Sequence, residues 1–203
     1  MKSLPPLMID LAIDRLASTR QLVARYGHRV YHRLQQLHDQ GLIRRCNYTI
    51  GRGRPIACCY LTPLGAAIVS NQASLPLREI PSTPGSAAQF RHTLLVGETR
   101  FRLAEAGYRL LSEYCNIVAQ GVSRSTLQQP DMYVLEADEP TVAVEVDRGY
   151  HPAVIRTKLN DWRDRELKVW WFCYGNKQMQ RLHNHNFCFN ELYDIEQLGW
   201  SVF

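Results

Sequence analysis

The sequence lacks the features that would place the protein in or beyond a membrane. No run of about 18 apolar residues occurs, which is roughly the length that a membrane-spanning helix requires. Residues 1–6 contain no apolar core of the kind that secretion signals carry. A hydrophobic content of 45% is still enough for ordinary buried cores in a chain of 203 residues. We therefore expect a folded, soluble, cytoplasmic protein with one large or two small domains and no membrane partner.

Patterned cysteines and nucleotide-binding motifs are also lacking. The six cysteines contain no C-x-x-C pair and lie mostly in apolar segments, so we expect reduced core residues rather than disulfides or zinc ligands. The sequence shows no nucleophilic triad. The glycine-containing run at residues 51–54 has neither the strand-to-helix context nor the Gly-Lys-Ser/Thr ending of a P-loop. P-loop chemistry is therefore not indicated.

Acidic residues are scarce in the first third of the chain. Residues 1–75 hold ten lysines and arginines against three aspartates, a net charge of +7, so the total of +5 leaves about −2 for the remainder. This asymmetry suggests that nucleic acid is bound chiefly by the first part of the protein. The alternative is that the arginines only solvate a surface. Their arrangement, described next, favours DNA.

Two helices separated by a glycine are predicted within the basic stretch. A capping-box signature, Ser18 with Gln21, begins a short helix over residues 19–25. Gly27 breaks the chain, and the apolar period that follows predicts a longer helix over residues 28–40. This second helix is amphipathic and basic. The residues expected to face inward are Val30, Leu34 and Leu37, and those expected to face outward are Arg25, Arg29, His32 and Arg33.

A β-hairpin is predicted directly after these helices. Gly41 ends the second helix, and residues 56–61 form the returning strand of the hairpin. The tip, residues 51–54, reads Gly-Arg-Gly-Arg, and its glycines allow the tight turn from which Arg52 and Arg54 can reach a narrow polyanionic groove. A helix for the major groove followed by an arginine-tipped hairpin is typical of a winged helix-turn-helix. The residues predicted to bind DNA are Arg25, Arg29, His32, Arg33, Arg44, Arg45, Arg52 and Arg54.

A change in composition divides the sequence into two predicted domains. Residues 1–75 form the winged helix-turn-helix domain, and residues 76–87, rich in Ser, Pro and Ala, form a linker. Residues 88–203 form a small mixed-sheet α/β domain, which makes the whole chain α+β. The main elements predicted there are helices over residues 88–106 and 154–167 and strands over residues 132–135, 141–147 and 169–174, with a turn at Pro140 between the first two strands.

Three carboxylates are predicted to meet at one end of the second sheet. Glu145 and Asp147 lie two residues apart on one strand, so both side chains leave the same face, and Asp131 joins them if the two strands pair. Such a group suits Mg²⁺ or Mn²⁺, which prefer oxygen ligands. The alternative is structural: Asp131 caps a turn, the other two carboxylates form ion pairs with nearby arginines, and Lys158 is solvated.

Four short motifs follow one another in a characteristic order. They are Phe90-Arg91-His92-Thr93-Leu94, Pro130-Asp131, Val144-Glu145-Val146-Asp147-Arg148-Gly149 and Lys158-Leu159. Behind a winged helix, this order resembles the replication-relaxation family of plasmids and other mobile elements. The resemblance implies a second domain similar to the PD-(D/E)xK nuclease superfamily, with Asp131 and Glu145 as metal carboxylates. Asp147 stands where the superfamily usually keeps its lysine, and Lys158 would replace that lysine beside the attacking water.

Two functions from different classes follow from the sequence. The first is a sequence-specific, dimeric protein that binds double-stranded DNA in the replication, transfer or transcriptional control of a mobile element, with replication or transfer proteins as further partners and a non-cleaving second domain. The alternative is a DNA endonuclease or nickase in which Asp131, Glu145 and Asp147 bind Mg²⁺ or Mn²⁺ and Lys158 assists the water. A third possibility is a repressor whose second domain senses a small ligand.

Overall fold

The computed structural model describes residues 5–49, 53–73, 80–112 and 129–200. In these residues the protein is mixed α+β, with seven helices and two separate sheets. The described residues up to Glu98 form one compact unit, and the described residues from Thr99 to Trp200 form a second. Within the described ranges, no helix combines the length and the apolar character needed to cross a membrane.

The first unit combines short helices with a small antiparallel sheet. Its elements are α1 (Pro6–Asp14), β1 (Ala17–Ser18), α2 (Thr19–Tyr26), α3 (Val30–Asp39), β2 (Ile43–Tyr48), β3 (Ile56–Leu61), α4 (Pro63–Ala73) and the beginning of α5 (Ala87–Glu105). The strand order is β1-β3-β2. The predicted hairpin strands pair from Ile43 opposite Leu61 to Tyr48 opposite Ile56. Residues 50–52, which include Gly51 and Arg52 of the predicted tip, lie outside the described residues.

The predicted capping box at the start of α2 is confirmed. The Ser18 hydroxyl accepts a hydrogen bond from the Gln21 amide at 3.1 Å, and the Gln21 side chain accepts one from the Ser18 amide at 2.9 Å. Each bond satisfies a backbone donor that the first turn of a helix leaves without a partner. The same side chain of Gln21 donates to the carbonyl of Leu94 at 2.7 Å, which fastens α2 to α5.

The core of the first unit follows the apolar period of its helices. The inner residues predicted for α3, Val30, Leu34 and Leu37, are all buried. Burying one such side chain stabilises the fold by about 1.5–3 kcal/mol. Close packing also requires glycine at position 65 of α4. A Cβ atom at Gly65 would lie 2.0 Å from the carbonyl oxygen of Leu42, so any larger residue would force α4 away from the chain that leads into β2.

The second unit is a five-stranded mixed sheet with helices in its crossovers. Its elements are the end of α5, β4 (Arg109–Ser112), β5 (Met132–Glu136), β6 (Glu139–Val146), α6 (Pro152–Asp164), β7 (Lys168–Cys173), α7 (Asn176–Asn184) and β8 (Glu191–Asp194). The strand order is β4-β5-β6-β7-β8. The pairs β4-β5 and β5-β6 are antiparallel, whereas β6-β7 and β7-β8 are parallel. The parallel pairs require the crossover helices α6 and α7.

The turn between β5 and β6 differs from the prediction. The sequence placed this turn at Pro140, whereas the structure places it at Ala137 and Asp138, whose φ angles are 49° and 72°. Two consecutive residues with positive φ match the right-handed twist of a tight hairpin. Pro140 therefore lies inside β6, opposite Leu135. Neither turn residue is glycine or asparagine, so the residues that usually mark such a turn are missing at these positions.

The boundary between the two compact units can be set beside the predicted domains. The sequence predicted a linker over residues 76–87, and residues 74–79 lie outside the described part. The described contacts divide the chain at Glu98, within α5. The ring of Phe90 packs 4.6 Å from that of Tyr48, which places the first turns of α5 against β2. The boundaries at residues 75, 76 and 88 stay a prediction.

Most of the described cysteines behave as the sequence predicted. Cys58, Cys59 and Cys173 are buried free thiols. Burial raises the pKa of these thiols to about 12, 11 and 12, so they stay protonated and unreactive near neutral pH. The prediction is wrong for Cys188, which is exposed because it lies in the loop before β8 rather than in a strand. Cys115 lies outside the described residues.

Candidate nucleic-acid interface and carboxylate cluster

Helix α3 separates buried apolar residues from exposed basic ones. Arg29, His32 and Arg33 are exposed, as the sequence predicted, while the neighbouring Val30 and Leu34 are buried. An interval of three or four residues places side chains on one face of a helix, so the alternation follows from the helical period. The exposed face therefore offers two guanidinium groups and an imidazole to a partner.

The hairpin adds further exposed arginines. Arg44 and Arg45 of β2 and Arg54 before β3 are all exposed. A cleft of about 460 Å³ separates the hairpin from the start of α2, and Arg20 and Arg54 both line it. Arg20 is exposed but was not predicted from the sequence as a binding residue. The position of Arg20 in the first turn of the predicted helix α2 is the sequence feature that could have identified it as an exposed residue.

Arg25 does not face outward, and this part of the prediction is wrong. Its side chain is 1% exposed, and Nη1 lies 2.9 Å from a carboxylate oxygen of Asp14 and 3.4 Å from one of Asp10. Nη2 donates to the carbonyl of Gly97 at 2.8 Å and lies 3.7 Å from Glu98. The physical reason is that α2 is covered by α1 on this side and by α5. Arg25 therefore holds three helices together.

Asp131 lies beside β6, as the sequence required for a carboxylate cluster. Strands β5 and β6 pair with Met132 opposite Val144, which brings the residue before β5 next to the end of β6. A carboxylate oxygen of Asp131 accepts a hydrogen bond from the amide of Val146 at 2.7 Å. The same carboxylate contributes to raising the pKa of Glu145, so the two groups are electrostatic neighbours.

Glu145 is fully buried and bound by Lys158. The ammonium group lies 2.7 Å from Oε1 and 2.9 Å from Oε2, and the indole Nε1 of Trp162 donates to Oε1 at 3.0 Å. Burial raises the pKa of Glu145 to about 8, and the charge of Asp131 acts in the same direction, whereas Lys158 lowers it. Lys158 was predicted to approach the cluster from α6, and the structure places it there; it is buried rather than solvated.

Asp147 is engaged in the loop after β6. Its Oδ1 accepts hydrogen bonds from the amides of Gly149 at 2.6 Å and Tyr150 at 2.8 Å, and its Oδ2 lies 3.2 Å from a guanidinium nitrogen of Arg181. This carboxylate therefore caps a turn and pairs with α7. Throughout the described ranges, no three or more His, Cys, Asp or Glu side chains come together in a group that could hold a metal ion.

Two aromatic residues of this cluster were not predicted from the sequence. The Lys158 nitrogen lies 5.2 Å from the ring centroid of Tyr150 and 5.9 Å from that of Trp162. Burial raises the pKa of Tyr150, and the charges of Asp131 and Glu145 add to the effect. Trp162 could have been found from its position, because it follows Lys158 by four residues on the inner face of α6.

Comparisons with known proteins place the chain in one family. No curated protein and no solved structure matches it. The sequence profile of a family described as replication-relaxation matches residues 10–186. The matched span covers most of the chain and includes both the exposed arginines of α3 and the carboxylates of β6. The protein therefore belongs to the replication-relaxation family, as the order of its sequence motifs indicated.

Proposed function

We propose that this protein is a sequence-specific DNA-binding protein of a mobile element, acting in its replication, its transfer or their transcriptional control. The first unit would bind the duplex as a winged helix-turn-helix. One observation carries the proposal: α3 buries Val30 and Leu34, while His32, Arg33 and the N-cap residue Arg29 are exposed to solvent. The description of the family supports the link to replication.

In this proposal α3 enters the major groove. Arginine can bind guanine O6 and N7 with two hydrogen bonds, which gives Arg29 and Arg33 a way to read sequence. Arg54 and the neighbouring Arg52, predicted at the hairpin tip, would contact the minor groove or the phosphates beside it. Arg44 and Arg45, which are exposed on β2, would neutralise further phosphates.

The internal pairing of Arg25 strengthens the electrostatic argument. Of the three acidic residues among residues 1–75, Asp10 and Asp14 lie 3.4 and 2.9 Å from Arg25, and their side chains are only 14% and 1% exposed, so little of either carboxylate reaches the surface. The exposed arginines are then opposed by few carboxylates on the same unit. These arginines are Arg20, Arg29, Arg33, Arg44, Arg45 and Arg54. A surface of this sign attracts the polyanionic backbone of DNA.

A homodimer is part of the same proposal. Two copies related by a two-fold axis would place two α3 helices in successive major grooves, about 34–36 Å apart, on a palindromic site. Replication or transfer proteins would be further partners, contacted through the second unit.

The alternative from the sequence, a metal-dependent endonuclease or nickase, would need Asp131, Glu145 and Asp147 to bind Mg²⁺ or Mn²⁺. Nitrogen donors of the chain already bind each of these carboxylates, at 2.6–3.2 Å. These contacts favour DNA binding without cleavage.

Replacing Arg29 and Arg33 together with alanine is expected to weaken DNA binding at least about tenfold. The logarithm of affinity against the logarithm of salt concentration should also become less steep, because removing two positive charges from the face that contacts DNA releases fewer counterions on binding. Fluorescence anisotropy with a duplex selected from a random library, between about 50 and 200 mM salt, measures both quantities.

The matched control removes the same charge from the second unit. Arg163 and Lys168 are exposed at the end of α6 and the start of β7, so their double alanine variant lowers the net charge equally. We expect this control to keep the affinity and slope of the unaltered protein. Equal losses in both variants would mean that only total charge matters, and unchanged binding in the Arg29/Arg33 variant would exclude α3 as the contact.

A further inference from the structure

We propose that Lys158 is the permanent cation of the carboxylate cluster in the second unit, so that this cluster takes no divalent metal ion. The cluster consists of Asp131, Glu145 and Asp147, the residues predicted from the sequence as metal ligands. The inference goes beyond DNA binding by the first unit, because it concerns the chemistry of the second unit and holds whether or not DNA is bound.

The Lys158 ammonium group occupies the place beside Glu145 that a metal ion would need. Both oxygens of this fully buried carboxylate accept hydrogen bonds from the Lys158 ammonium group, at 2.7 and 2.9 Å, and Oε1 also accepts one from Trp162 at 3.0 Å. Mg²⁺ and Ca²⁺ bind carboxylate oxygens at about 2.0–2.6 Å and require several further oxygen ligands. A metal ion would therefore have to displace the ammonium group.

The other two carboxylates are engaged as well. Asp147 is bound by two backbone amides of its own loop, at 2.6 and 2.8 Å, and by Arg181 at 3.2 Å. Asp131 accepts a hydrogen bond from the backbone amide of Val146 at 2.7 Å. Because these donors belong to the loop after β6, to β6 itself and to α7, freeing the oxygens would disrupt the packing around the cluster. A divalent ion would have to offset that loss.

The surroundings of Lys158 also favour an ammonium group over a metal ion. Its nitrogen lies 5.2 Å from the ring of Tyr150 and 5.9 Å from that of Trp162, within the range of a cation–π attraction. The ammonium group therefore lies between the Glu145 carboxylate and the rings of Tyr150 and Trp162, surroundings that suit a monovalent organic cation. Aromatic rings supply no ring-face oxygen ligands, so these two rings offer nothing that Mg²⁺ or Mn²⁺ prefers.

The test is a titration of the full-length protein with Mn²⁺ alone. Paramagnetic resonance of the free aqueous ion measures its uptake, and the NMR signal of the Trp162 indole reports on the cluster, because its Nε1 lies 3.0 Å from Glu145. The proposal predicts no broadening of that signal. It also predicts that the thermal unfolding midpoint shifts by less than about 1 °C with Mn²⁺ near 1 mM, since an ion that does not bind cannot stabilise.

Two variants locate any Mn²⁺ that is taken up. Glu145→Gln removes the central carboxylate, and Asp164→Asn is the control because Asp164 is exposed at the end of α6. Uptake that both variants retain, with a sharp Trp162 signal, comes from elsewhere and agrees with the proposal. Uptake that disappears only in Glu145→Gln would overturn it. Broadening of the Trp162 signal in the unaltered protein would overturn it as well, even if the Glu145 variant failed to fold.

Discussion

Replacing Arg25 with alanine is expected to destabilise the first unit by about 3–5 kcal/mol, because removal of one partner leaves buried charges without compensation. The Arg25 side chain is 1% exposed and binds the carboxylates of Asp10 and Asp14. It also donates to the carbonyl of Gly97 and lies near Glu98. The variant therefore loses one cation that serves α1, α2 and α5 together.

The free energy of unfolding is measured by urea titration, with far-UV circular dichroism as the signal. The tryptophans, at positions 162, 170, 171 and 200, all lie in the second unit, so their fluorescence separates its unfolding from that of the first. Arg25→Lys should recover only part of the loss, because an ammonium group lacks the planar fork that reaches several acceptors. Arg29→Ala, at an exposed position, is expected within about 0.5 kcal/mol of the unaltered protein. A similar value for Arg25→Ala would contradict the assigned role.

Replacing Lys158 with methionine is expected to destabilise the second unit by about 3–5 kcal/mol at alkaline pH. The substitution leaves Glu145 fully buried without its cation. The loss should shrink as the pH falls, because Glu145 can then bind a proton. Burial raises the pKa of this group from 4.5 to about 8 even with Lys158 present, and removing Lys158 raises it further.

The sign of this pH dependence follows from linkage. A carboxyl group with a raised pKa binds its proton more tightly in the folded than in the unfolded protein, so its stability contribution is present at low pH. In the unaltered protein that contribution is lost as the pH rises from about 4.5 through about 8. Without Lys158 the pKa of Glu145 lies higher, so the variant keeps losing stability above pH 8 and its unfolding free energy should lie furthest below that of the unaltered protein near pH 9.

Tryptophan fluorescence during urea unfolding measures this effect in the second unit. Lys177→Met is the matched control, because Lys177 is an exposed lysine of α7. Adding Glu145→Gln to Lys158→Met should recover much of the lost stability, since the pair is then replaced by neutral groups of similar size. A Lys158→Met variant as stable as the Lys177 control at pH 9 would mean that the buried pair does not hold α6 on β6.

Local signals in the sequence were enough to predict the α+β class and most of the helices and strands. The buried face of α3 follows from its apolar period, and the beginning of α2 follows from one capping box, Ser18 with Gln21. Both features depend on residues only a few positions apart, so tertiary packing does not have to be known.

The predictions that failed depend on contacts between distant residues. The period of α2 alone places Arg25 on a polar side, and only the packing of α1 and α5 shows that this side is buried. Similarly, the alternative in which Lys158 is solvated fails because α6 packs on the sheet and buries Lys158 against Glu145, 13 residues earlier. The role of Asp147 in capping a turn could not be predicted from the sequence either, because aspartate accepts hydrogen bonds from backbone amides in many loops.

The central claim, that the basic face of α3 contacts DNA, is tested most directly by photocrosslinking. A photoreactive amino acid in place of Tyr31, which is 55% exposed on α3, is expected to crosslink to a bound duplex. The same amino acid in place of Tyr108, which is 43% exposed in the second unit, is expected to give little or no crosslink. Crosslinking at position 108 with none at position 31 would contradict the account.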